Sequence, residues 1–270
     1  MSNPIVALQL YTVRDVTSND LPNTLKQVKA MGYDYVELAG TYDLEAADFK
    51  QLLDEIGLKA ISAHVPIQAF EADAAGTVAT YKTLGCKVAA IPWAHPDTLP
   101  GGPDFEKTKA TINKAAALCK ENDMILAYHN HDFEFKALPC GTFVLDALFA
   151  ETSDVLQAQL DTGWVKAAGQ CPVAYIKKYA GRCPAIHLKD ITHAQTDKTV
   201  ELLNTDAMLE SRAKYEDRPV GQGILDVPAI TKAAVEAGAY ILVVELDEAV
   251  GIASLEAAKQ SREYLKTLGY

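Results

Sequence analysis

One phrase recurs six times along the chain, and it constrains the fold more than any other feature. A polar stretch closes on Gly or Asn, a short apolar run follows, and the run ends in a polar residue. The six copies are KAMGYDYVELAG (29–40), DEIGLKAISAHVP (54–66), KTLGCKVAAIPWAH (82–95), KENDMILAYHNH (120–131), KYAGRCPAIHLKD (178–190) and VEAGAYILVVELD (235–247). Gly32, Gly57, Gly85, Gly181 and Gly238 can take the left-handed backbone conformation that ends a helix, and Asn122 can do so at some cost. The runs that follow are continuously apolar, as a strand covered on both faces of a parallel sheet requires. Residues 5–11 and 156–160 supply two more such runs, which makes eight strands.

Helices are expected between them at 21–31, after the cap candidates Asn19 and Asp20, and at 45–56, where Phe49, Leu52, Leu53 and Ile56 recur at helical spacing. At 104–120, Ile112, Ala115, Ala116 and Cys119 share one stripe. Further helices are expected at 172–179 and 227–236, each with Pro near its start, and at 252–268. Eight strands alternating with helices over 270 residues fit either a closed (β/α)8 TIM barrel or an open doubly wound sheet. No glycine-rich phosphate fingerprint follows the first strand, so the closed α/β barrel is favoured, as one domain spanning 1–270. The longest irregular stretch, 191–223, holds a candidate short helix at 200–212 and is expected to be an active-site loop.

Active sites of such barrels lie at the carboxyl ends of the strands. The polar residues there are Glu37, His64, His95, His129–Asn130–His131 with Glu134, Asp161, His187 with Lys189 and Asp190, and Glu245 with Asp247. Five of the six histidines fall at these positions, and His193 lies just beyond them. Taken singly, a strand-end Glu can cap a helix and a lone His can be structural. As a set, Glu134, Asp161, His187 and Glu245 would be costly to bury facing one mouth without a cation, because like charges repel and desolvation adds to the cost. One divalent metal resolves this; mixed oxygen and nitrogen ligands suit Mn, Co, Zn, Mg or Fe.

The bulk numbers narrow the partners. A net charge of −11 with a pI near 5.0 repels phosphate backbones, so no nucleic acid partner is expected. The amino terminus lacks a basic region and a signal-length apolar run, and no segment is long enough to span a bilayer, so no membrane association is expected. The five cysteines form no CxxC pair and read as free thiols of a cytoplasmic protein. Homo-oligomerisation is left open.

YHNHDFEF (128–135), LDTGWVKAAGQCPVAYIKKYAGRCPAIHLKD (160–190), GQGILD (221–226) and VVELD (243–247) together resemble the sugar phosphate isomerase/epimerase superfamily of xylose isomerase-like barrels. QLYTVRD (9–15), GYDYVELAG (32–40) and SAHVP (62–66) extend the resemblance over essentially the whole chain. It implies an enzyme acting on a small carbohydrate, with one divalent metal held by Glu, Asp, His and Glu from late strands. Asp161, His187 and Glu245 match that set. The fifth strand carries His129–Asn130–His131 where ketose-epimerising relatives carry a Glu, which leaves Glu134 or His131 as the first ligand, with Glu134 preferred.

The resemblance implies an isomerase or epimerase that moves a proton next to a carbonyl through an enediolate. Glu134 and Glu245 would exchange that proton, His131 would shuttle protons and Lys189 would stabilise oxygen charge. Glu37, His64 and His129 would bind hydroxyls, and Trp93 and Trp164 would face the sugar ring. The alternative is a dehydratase or lyase on a keto-sugar, inosose or keto-glycoside, which the HNH cluster fits at least as well. A third reading, endonuclease IV-like DNA repair, needs more metal ligands and a basic groove. A phosphate on the substrate would require N–H groups or Arg/Lys near the last loops, and residues 221–223 with Arg218 are the candidate.

Overall fold

Helix ends set where the strands begin. In the computed structural model, which describes residues 3–192 and 215–270, the five phrase glycines all have positive φ, from 77° to 96°. The sixth phrase differs: Asn122 stays at φ −105° and the next residue, Asp123, takes the left-handed turn at φ 56°. Asp tolerates that region because its short polar side chain bonds locally.

The strands are β1 (Ile5–Gln9), β2 (Tyr35–Ala39), β3 (Lys59–His64), β4 (Val88–Ile91), β5 (Ile125–His129), β6 (Gln157–Asp161) and β7 (Ala185–Leu188). A short ribbon follows, β8 (Asp190–Ile191) antiparallel to β9 (Asp217–Arg218), and then β10 (Ile241–Val244). β1 to β7 and β10 close into a parallel barrel, in which β1 pairs with both β2 and β10. The expected closed (β/α)8 architecture is therefore present. The first strand is shorter than expected, because Leu10–Val13 turns into a 3-10 helix. The candidate helix at 200–212, and His193, lie outside the described residues.

Helices occupy Leu21–Ala30, Ala46–Ile56, Phe105–Glu121, Pro172–Lys178, Val227–Glu236 and Ser254–Thr267, close to the expected bounds. Asp20 caps the first of these by accepting from Asn23 N–H. Helix Ile67–Leu84 was not anticipated; it bends at Asp73 (φ −152°), which breaks its hydrophobic period. Among the described residues no helix is long and apolar enough to cross a membrane. All five cysteines are free. Burial pushes the thiols of Cys86, Cys119 and Cys183 well above their usual range, as suits inert packing groups.

The barrel has two cores. Side chains facing outward meet the helices, whereas Ala7, Ile61, Val88, Ala90, Ala127, Ala185, Ile241 and Val243 fill the interior. Small residues suit an interior this narrow. Because strand side chains alternate with period two, the next inward position along each strand falls at the carboxyl mouth. Ala7 leads to Gln9, Tyr35 to Glu37, Ala127 to His129, Ala185 to His187 and Val243 to Glu245. The interior thus changes from apolar to polar along the barrel axis. In β3 the alternation is reset by a bulge: Val36 pairs with Ala60 but Glu37 with Ser62, leaving Ile61 extra. Ser62 and His64 then register with Val88 and Ala90, which face inward.

Candidate metal centre

β6 ends in Asp161, which is fully buried and has two jobs. Its Oδ1 accepts from Trp164 N–H (2.8 Å), capping helix Thr162–Ala167. Its Oδ2 accepts no hydrogen bond; it lies 3.5 Å from Lys189 Nζ and 3.9 Å from His129 Nε2. Asn130 Oδ1 holds the Asp161 backbone N–H (3.1 Å). From the neighbouring strands, His187 Nδ1 approaches Oε2 of Glu245 to 2.9 Å, and His129 Nε2 lies 4.0 Å from that oxygen. One ligand atom from each of His129, Asp161, His187 and Glu245 lies within 4.8 Å of all the others. A buried carboxylate oxygen without a donor needs an explanation. Two imidazoles and two carboxylates converging on it have the chemistry of a divalent-cation site.

The far side of His187 faces Glu37, whose Oε1 is 2.6 Å from Nε2. Glu37 is fully enclosed: Gln9 donates to Oε1 (2.8 Å), Gln159 donates to Oε2 (2.7 Å), and His64 Nε2 is 3.1 Å away. Burial opposes charge on both partners, but their mutual attraction wins. His187 is lifted to about 10 by Glu37 and Glu245, and Glu37 is lowered to about 2 by His187 and His64. Burial lifts Asp161 to about 6 against the pull of Lys189. His129, flanked by other imidazoles, is driven well below its usual value by burial and stays neutral, the form that ligates metals.

Lys189 is the buried cation of the site. Its Nζ lies 2.7 Å from Asp247 Oδ2 and 3.5 Å from both Asp161 Oδ2 and Glu245 Oε2. It also sits 5.0 Å from the Trp164 ring centre. These carboxylates outweigh the burial penalty and keep the amine protonated. Above the cluster opens a cavity of about 480 Å³ whose wall includes Tyr11, His64, Trp93, His131, Glu245 and Asp247.

Residues 25–268 match the xylose isomerase-like TIM barrel family. The chain belongs to that family. An inosose dehydratase of Clostridium perfringens is 32% identical over 166 residues, covering 57% of this chain and 52% of the relative. The match thus spans about half the length of the curated relatives found. A sugar phosphate isomerase/epimerase from Parabacteroides distasonis superposes with a TM-score of 0.76 at 22% identity, covering 98% of this chain and 94% of its own. An L-ribulose 3-epimerase superposes with a TM-score of 0.71 at 16% identity, again covering 98% and 94%. At those identities the structural likeness is one of fold.

Within this family barrel, several candidate residues sit where the sequence suggested and others do not. His64, His129, His131, Trp93 and Glu245 line the cavity. Glu134 is outside the four-residue cluster. It follows β5 in the 3-10 turn Phe133–Phe135, and its carboxylate accepts from Tyr128 Oη–H and His131 N–H, both at 2.8 Å. Burial there raises it to about 8. The four-residue cluster takes in His129, which the sequence suggested for substrate contact. His131 stands on the cavity wall, stacked on Phe133 at 5.7 Å. Trp164 is buried beneath His131 and Lys189 rather than lining the cavity. Glu37 reaches His187 and not open space. Gln9 and Gln159, which hold Glu37, were missed. A polar residue at a buried position of a strand, such as Gln159, was the available signal, because it must have a partner.

Proposed function

We propose that the chain is a divalent-metal-dependent lyase of the dehydratase type. It takes the proton beside the carbonyl of a keto-sugar or inosose and expels the hydroxyl from the next carbon as water. The observation that carries this reading is the position of Glu134. Proton exchange by two opposed carboxylates needs a second acid at the cluster, and Glu134 is held away by Tyr128 and His131 while a neutral imidazole, His129, stands in its place.

His129, Asp161, His187 and Glu245 would hold the metal, the cation displacing the proton that Glu37 and Glu245 otherwise keep on His187. A divalent cation there would supply Lewis acidity to a substrate carbonyl or hydroxyl oxygen. Glu245, kept ionised by Lys189 and His187 despite its burial, faces the cavity and accepts the carbon-bound proton. His131 delivers a proton to the departing hydroxyl as the C–O bond breaks and the C=C bond forms. Lys189 holds Asp161 and Glu245 as anions. His64, fixed by Gln159 (2.9 Å), orients a hydroxyl, and Trp93 offers an apolar wall to the ring. The inosose dehydratase relatives act on the kind of substrate this scheme needs.

A second reading, an isomerase or epimerase, is favoured by one observation: His64 and Glu245 line the same cavity, so a proton carrier other than Glu134 is available to return the proton. Turnover in D2O of a panel of keto-sugars and inososes, followed by NMR, separates the two. An unsaturated ketone is the expected product. An epimer or aldose carrying solvent deuterium, with no unsaturated product, would establish the second reading. Turnover undiminished by exhaustive chelation would remove the metal from either scheme.

A further inference from the structure

Barrels of this architecture commonly bind phosphate through backbone N–H groups in the loops after the last strands. Residues 221–223 with Arg218 are where the sequence placed such a candidate. In the structure those N–H groups are occupied by the protein itself. Oδ2 of Asp190 accepts from Gly221 N–H (3.0 Å) and Gly223 N–H (2.9 Å), and Oδ1 accepts from Ile191 N–H (3.0 Å) and Leu225 N–H (3.1 Å). Asp190 is 1% exposed. The fit is close: a Cβ on Gly223 would stand 2.1 Å from Oδ1 and 2.6 Å from Ile191 O. Four N–H donors converging on one carboxylate leave none for a phosphoryl group.

Among the described residues, the cations near the mouth are likewise engaged. Arg218 is turned to Glu216 and to Val250 O (3.1 Å). Lys189 faces three carboxylates. Arg14 stacks on Tyr11 (4.0 Å), donates to Tyr11 O (2.9 Å), and borders a cleft shared with Glu216, Asp217, Asp247 and Glu248. Among the described residues, a phosphate dianion beside Arg14 and Arg218 would meet acid on most sides.

We infer that the substrate carries no phosphate, and that Asp190 excludes phosphoryl groups by filling the loop that would otherwise cradle one. The substrate class is then an uncharged keto-sugar or inosose, a conclusion that rests on the proposed action on a keto-sugar.

Two measurements test this. The metal-loaded wild-type enzyme is first offered matched pairs of free and phosphorylated ketoses. The expected kcat/KM favours the free sugar by about 100-fold or more. Equal or faster turnover of the phosphorylated member overturns the inference. Inorganic phosphate is then titrated calorimetrically into metal-loaded wild type and Asp190→Ala, which share the metal site, so that only their difference is read. Wild type is expected to show no saturable binding beyond that of the metal up to about 10 mM. The variant is expected to bind at least about tenfold more tightly. Equal binding by the two, or saturable phosphate binding by wild type that Asp190→Ala abolishes, overturns the inference. Should the variant not fold, the wild-type pair comparison and titration still decide. Should no sugar be turned over at all, the proposed function fails while the phosphate titrations judge Asp190 on their own.

Discussion

Asp161 divides its carboxylate between structure and chemistry, and the division can be separated. Oδ1 caps a helix while Oδ2 points into the cluster without a donor. Asn caps as well as Asp does, and replacement of a cap by Ala costs about 1 kcal/mol. Asp161→Asn is therefore expected to stay within about 1 kcal/mol of wild-type stability while losing stoichiometric metal and turnover; Asp161→Ala is expected to lose both stability and metal. Denaturant unfolding paired with elemental analysis checks this, and full metal occupancy in both variants would remove Asp161 as a ligand. Asp161, His187 and Glu245 were legible in the sequence because each closes or directly follows an apolar run. The contest between His129, His131 and Glu134 was not, because spacing alone does not say which side chain of a turn faces inward. The alternation of β5 points His129 into the barrel after Ala127, and the turn after the strand carries Glu134 back onto Tyr128.

Among the elements, helix Thr162–Ala167 does the most to place the site's buried cation. Its second residue is Gly163, where a Cβ would stand 2.8 Å from Cγ and 2.9 Å from Cβ of Lys189. Glycine is needed here for close approach rather than for backbone conformation. Gly163→Ala is expected to destabilise the fold by about 1–3 kcal/mol through overpacking. It should also lower kcat by displacing the ammonium from Asp161 and Glu245, with metal still bound. Thermal unfolding, steady-state kinetics and metal analysis on one preparation check the three parts, and unchanged kcat would detach Lys189 from the chemistry. Most elements were readable because punctuation and period agreed. Helix Ile67–Leu84 was not, because its bend at Asp73 splits one stripe into two short ones. The end of helix Phe105–Glu121 was displaced by one residue, since both Asn122 and Asp123 can serve as the turn.

At the scale of the whole molecule, the closed barrel concentrates negative charge at one end of its axis and lets a bound cation contribute to stability. A ligand that binds only the folded state stabilises it by about 2.7 kcal/mol at 100 times its dissociation constant. Exhaustive chelation is accordingly expected to lower the unfolding temperature by several degrees, and readdition of Mn, Co or Zn to restore it, as differential scanning calorimetry would show. An unfolding temperature indifferent to chelator would argue that the four-residue cluster is satisfied without a metal. The repeating phrase made the barrel itself legible, because each copy ends a helix and starts a buried strand. The order of strands around the barrel then follows the order of the chain.

The extra residue in β3 carries a consequence for reading other chains against this one. Ile61 adds a residue between Ala60 and Ser62, yet Ser62 and His64 keep their inward register with Val88 and Ala90, as they would in a strand without it. A gain or loss of one codon at that point shifts the numbering of every later residue without changing which side chain reaches the mouth. Position-by-position comparison with a relative lacking the insertion must therefore open a gap at Ile61, or it will match an inward histidine with an outward neighbour.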